Sequence, residues 1–98
     1  MSTIAGLDAT TVTTGQKAVT TAGTAVQLTS STKICSEGLF LRANSANTGK
    51  IWWGDSTVLS NSGVELAAGE SVFIPLRSAA AIYINSAVNG EGVTFALI

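Results

Sequence analysis

Nucleophilic catalysis needs a serine or cysteine within reach of a base, and this chain has no histidine to act as one. Serine is plentiful and Lys17, Lys33 and Lys50 are present. A Ser–Lys dyad is therefore formally possible, but no spacing singles out a pair. Two carboxylates on one site could hydrolyse a glycosidic bond; Asp55, Glu65 and Glu70 are the nearest set along the chain. Asp55 and Glu70 stand in turn contexts, where an acidic side chain serves as a local hydrogen-bond acceptor. A metal centre lacks ligands, since there is no histidine, one cysteine and no Asp-rich loop of calcium spacing. Cys35, between Ile34 and Ser36, reads as a buried, inert thiol, with Lys33 on the same side of an extended segment. The residues thus predict a protein with no catalytic residues, no cofactor and no metal.

The site-like feature is Trp52-Trp53. In a strand, Ile51 and Trp53 share one face and Trp52 takes the other, so one tryptophan points away from the core when its neighbour points in. The outward indole can anchor a protein interface or stack on a sugar ring. Alternatively both are buried, one in the core and one under a loop or arm.

The elements that must position these residues are short strands. Gln16 to Thr20 and Ala25 to Leu28 flank a turn at residues 21–24, with Val26 and Leu28 on one face and Gln27 on the other. A Ser/Thr loop at residues 29–32 leads to Lys33-Ile34-Cys35. In Gly38 to Ala43, Leu39, Leu41 and Ala43 alternate with Phe40 and Arg42. The loop at residues 44–49 is turn-forming by composition. Ile51 to Gly54 and Val64 to Leu66 follow. Ala67-Ala68-Gly69 suits a three-residue hairpin loop with glycine in the left-handed conformation. Glu70 to Leu76 places Val72, Ile74 and Leu76 opposite Phe73, and Pro75 puts this strand at an edge or ends it. Ile82 to Asn85 precedes Asn89-Gly90, a strong hairpin signal. The last strand, Gly92 to Ile98, has Val93, Phe95 and Leu97 on one face. Residues 78–81 allow one helical turn at most. About eight short strands with regularly spaced turns predict an all-β fold: a single small antiparallel β-sandwich or jelly-roll-like barrel over residues 16–98. Residues 1–15 read as an extended, Thr-rich arm carrying Ile4, Leu7 and Val12, suited to adding a strand to a neighbour's sheet edge.

Composition narrows the role. A chain of 98 residues makes one domain and buries only roughly 60–65% of its unfolded surface. A lone cysteine gives no internal disulfide, so association with other chains is the remaining common route to stability. Charged residues make up 11% of the chain, with a net charge of −1, against roughly a quarter in a typical domain. A surface of Ser, Thr, Asn, Gly and Ala resists close packing weakly, because little charge has to be desolvated. The five basic residues, Lys17, Lys33, Lys50, Arg42 and Arg77, are dispersed, which argues against nucleic acid. No run of eighteen apolar residues is present to span a membrane, and the first residues lack the pattern of a secretory signal. A lone thiol fits synthesis in a reducing cytoplasm.

The segment Ile51-Trp52-Trp53-Gly54-Asp55-Ser56-Thr57-Val58, followed by Gly63-Val64-Glu65-Leu66-Ala67-Ala68-Gly69-Glu70-Ser71-Val72, resembles small structural proteins of tailed bacteriophages. Those carry a strand ending in Val-Gly-Asp-Ser, then a Gly-x-x-Leu-x-Pro-Gly-Glu-Ser turn and a final hairpin. Here Ile82-Tyr83-Ile84-Asn85 and Gly92-Val93-Thr94-Phe95 occupy that last stretch. The likeness spans roughly residues 34–98, with Ala68 where proline is common and a tryptophan pair where one aliphatic residue is usual. The resemblance implies a virion protein, made in the bacterial host cytoplasm and carried on the capsid exterior. It implies a decoration, or cement, protein that binds the major capsid protein between capsomers and stabilises the mature head. Such a protein self-associates, with a trimer favoured over a dimer. Its contacts would be anchored by Ile4, Leu7, Val12, Phe40, Trp52, Trp53 and Phe73. The alternative is a tail or head-fibre module that recognises host-surface carbohydrate.

Overall fold

The structure, a computed structural model, describes residues 12–30 and 34–98. Its strands are β1 (Thr13–Ala18), β2 (Val26–Gln27), β3 (Leu39–Ala43), β4 (Ile51–Gly54), β5 (Val64–Leu66), β6 (Ser71–Ile74), β7 (Tyr83–Ser86) and β8 (Gly92–Leu97). A single 3-10 turn, Ala79–Ala81, precedes β7. The strands form two four-stranded antiparallel sheets, ordered β1-β8-β3-β6 and β2-β7-β4-β5.

The order has a simple logic. Strand β4 pairs with β5, β3 with β6, β2 with β7 and β1 with β8. The chain doubles back about the β4–β5 connection, and the doubled ribbon rolls up so that β8 also meets β3 and β7 also meets β4. The result is an eight-stranded jelly roll, a small β-sandwich.

Alternation in the sequence builds the core. Leu39, Leu41 and Ala43 of β3 and Val93, Phe95 and Leu97 of β8 face inward from one sheet, and Ile51, Leu66 and Ile84 from the other. Val19, Leu28, Cys35, Ala79 and Ile82, outside the strands, complete the core. Phe40 and Arg42 point outward, so β3 alternates buried and exposed along its length. Strand β6 is an edge strand that stops just before Pro75, where a ladder donor is missing.

Three expectations change. Strand β1 begins at Thr13 and pairs with β8 from Thr13↔Leu97 onward, so Thr13, Thr14 and Gly15 belong to the sandwich and not to an arm. Residues 1–11 of the expected arm, with Ile4 and Leu7, lie outside the described residues, as does Lys33. The turns at Gly69 and Gly90 have the expected left-handed glycines, at φ +83° and +84°. Neither closes a hairpin, because β5 and β6 lie in different sheets, as do β7 and β8. Both turns carry the chain across the sandwich, and each glycine N–H is used by a distant strand end: Gly69 donates to Ala43 O and Gly90 to Val19 O.

Candidate functional site

The carboxylates considered for catalysis are each engaged in local structure. Asp55 Oδ1 accepts from the N–H and hydroxyl of Thr57, at 2.9 and 2.7 Å. The hydroxyl bond, then the backbone one, holds its pKa below the ordinary value. Glu70 Oε1 accepts from Ala67 N at 2.7 Å, within the turn it closes. Glu65 pairs with Lys50 at 2.8 Å in the open, and this hydrogen bond raises the Lys50 pKa. The described residues contain no cluster of three or more His, Cys, Asp or Glu side chains that could hold a metal. Cys35 is buried in the core as a free thiol.

Two surfaces remain, one on the outer face of each sheet. On β1-β8-β3-β6, register places Thr14, Ala96, Phe40 and Phe73 in one row and Gln16, Thr94, Arg42 and Ser71 in the next. Phe40 and Phe73 are directly opposed across β3 and β6 and are 38% and 47% exposed. A cross-strand aromatic pair of this kind gains from mutual contact, yet both rings stay substantially in water. Arg42 is the single charge among those paired outward positions.

The outer face of β2-β7-β4-β5 is built differently. Trp52, Asn85 and Glu65 are in register there, and the connection at residues 55–63 folds back over Trp52 and Asn85. Val58, 2% exposed, is the plug of this roof. It lies against Gly54 and Gly63, and a Cβ on Gly63 would stand 2.5 Å from Val58 Cγ2 and 2.7 Å from Trp52 Cβ. Glycine is therefore what lets the roof descend. The roof is tied down by Asn85, which is buried although it points away from the core. Its Nδ2 donates to Val58 O at 3.1 Å, and its Oδ1 accepts from Gly23 N at 3.0 Å and Ser86 N at 2.8 Å. Asn89 Oδ1 accepts from Ala22 N at 2.7 Å, fixing the same turn a second time.

Between roof and turn lies an open cleft of about 470 Å³. Ala22 and Gly23 form one wall, Leu59, Ser60 and Asn61 the other, and Trp52, Asn85, Ser86 and Ala87 line the rest. No lining side chain is charged.

The residues singled out from sequence are thus separated. Phe40 and Phe73 come together on one sheet. Trp52 lines the cleft on the other. Trp53 faces inward and packs on the core, with its indole N–H buried and without a partner among the described residues. Val12 is 62% exposed, just before β1. Asn85 was missed; an asparagine within a strand, directly after Tyr83 and Ile84, is an unfavourable choice, and that was the available signal.

Compared with protein-family models, curated proteins and solved structures, the chain matches none.

Proposed function

We propose that the protein is a non-catalytic decoration, or cement, module of a tailed-bacteriophage head. In this reading it binds the major capsid protein between capsomers, associates with further copies of itself and stabilises the mature shell. The observation that carries the reading is the exposed Phe40–Phe73 pair on a sheet face with one charge. Exposed aromatic side chains in a polar, weakly charged setting are the composition of interface cores. Little desolvation opposes a partner there. The resemblance of its turn motifs to those of phage structural proteins supports the major capsid protein as that partner. A jelly roll is used by capsid proteins and by lectins alike, so the fold by itself does not choose between them.

On a shell, many copies of one modest contact act together, which suits a small domain with an exposed aromatic pair on one sheet face. The test is the amount of the protein in purified virions, by quantitative mass spectrometry against the major capsid protein. A high, fixed ratio to the capsid protein is the expected result. A few copies per particle would move the protein to a tail or fibre, and its absence from particles would end the virion reading.

A further inference from the structure

We propose that the cleft over Trp52 is a binding site for a neutral sugar residue, separate from the Phe40–Phe73 face. Three observations lead there. The first is the aromatic ring. Trp52 belongs to the outer side of its sheet and is only half-buried, so the roof leaves part of it open to the cleft that it lines. An indole edge or face offers a sugar's C–H surface an apolar partner.

The second is the polar equipment beside it. Asn85 is engaged by Val58, Gly23 and Ser86, and Ser86 Oγ donates to Val88 O at 2.8 Å. Those two groups hold the walls. Ser60 and Asn61, by contrast, line the cleft and their side chains bond no other described residue. One hydroxyl and one carboxamide together offer donors and acceptors of both kinds, the complement of a sugar's hydroxyls. The absence of charge among the lining residues disfavours phosphates, carboxylates and amines and leaves a neutral polyol as the matching chemistry.

The third is preorganisation. Both walls are pinned through Asn85, and the turn at residues 20–24 is pinned again by Asn89, so little ordering has to accompany binding. The volume of about 470 Å³ lies within the ~300–1,000 Å³ usual for small-molecule sites. The site does not depend on the virion reading and would serve equally on a shell or a fibre.

The probes are methyl glucoside, methyl galactoside and N-acetylglucosamine, titrated separately into the full chain and followed by ¹H–¹⁵N NMR. At least one is expected to shift the Trp52 indole N–H and the backbone amides of Gly23, Ser60, Asn61 and Ser86, leaving Phe40 and Phe73 unmoved. Asn61→Ala, at an exposed position whose loss leaves folding intact, should weaken binding about fivefold, the worth of one hydrogen bond. Trp52→Ala should abolish it, and Trp52→Phe, which keeps an aromatic ring, should retain part. Silence of the cleft resonances with all three sugars would overturn the proposal. So would shifts confined to another surface, or an Asn61→Ala variant that binds like the wild type.

Discussion

Each sheet of this jelly roll turns an aromatic side outward, and the chain treats the two sides in opposite ways. Over Trp52 it lays the connection at residues 55–63, seats Val58 as a plug and ties the assembly with Asn85. Over Phe40 and Phe73 the described residues lay nothing. A protein of this size gains stability from every apolar group it can cover, so the covered face contributes to folding. The bare face contributes little to the monomer and is open to a partner. The comparison separates residues that hold the molecule together, Val58 and Asn85, from the Phe40–Phe73 pair that it presents.

Removing the knot under the roof should have the largest effect on stability. Asn85→Ala strips the buried Val58 carbonyl of its side-chain donor and Gly23 N–H of its best acceptor. A loss of about 3 kcal/mol is expected in urea unfolding, chiefly from leaving the buried Val58 carbonyl unpaired, while Gly23 N–H keeps Ser86 O at 3.3 Å. Val58→Ala empties the plug and should cost about 2 kcal/mol, from lost burial and a small cavity. If both variants unfold like the wild type, the roof is ornamental and the contrast between the two faces fails.

Acid should loosen another tie, between the β3–β4 and β7–β8 connections. Glu91 accepts from Thr48 N at 2.7 Å, Gly49 N at 2.9 Å and Thr48 Oγ1 at 2.9 Å. The bond from Thr48 N, followed by that from Gly49 N, lowers its pKa. Because the folded pKa lies below the unfolded one, the contribution is fully present above the ordinary glutamate range and is lost as pH falls from there through the lower folded pKa. Asp55 has the same sign, through Thr57. Thermal unfolding should therefore show a melting temperature that declines below the glutamate range. Glu91→Gln should flatten that decline and lower stability at neutral pH by less than Asn85→Ala does. The carboxylate is exposed, and solvent screening keeps its contribution small.

Phe40→Ser or Phe73→Ser should cost the isolated chain only about 1 kcal/mol, the worth of the cross-strand contact, less than Asn85→Ala or Val58→Ala. The same substitutions should abolish association. A large loss of monomer stability would mean that the pair belongs to the fold, erasing the distinction between presented and structural aromatics.

The sequence reveals these surfaces unevenly, for physical reasons. The alternation of Leu39, Leu41 and Ala43 with Phe40 and Arg42 sorts β3 into its two faces because the period of a strand is local. Left-handed glycines at positions 69 and 90 are equally local. What those turns join is not. A hairpin and a crossing between sheets can share one turn conformation, and the difference lies in pairings such as β1 with β8, which bring Thr13 beside Leu97. The tryptophan pair shows the same limit: alternation requires opposite faces, but only the position of β4 between β5 and β7 sends Trp53 inward and Trp52 toward the cleft. Asn85 is the least legible of all. Its partners Gly23 and Val58 lie 62 and 27 residues away, and nothing near Asn85 announces them.

The most direct test of the proposed cement role is a binding titration of the protein onto purified phage heads that lack it, comparing wild type with Phe40→Ser/Phe73→Ser and with Trp52→Phe. The account expects saturable binding by the wild type and by Trp52→Phe, and none by the double phenylalanine variant in its folded form. Equal binding by all three would contradict it, because the uncovered face would then not be the face that docks.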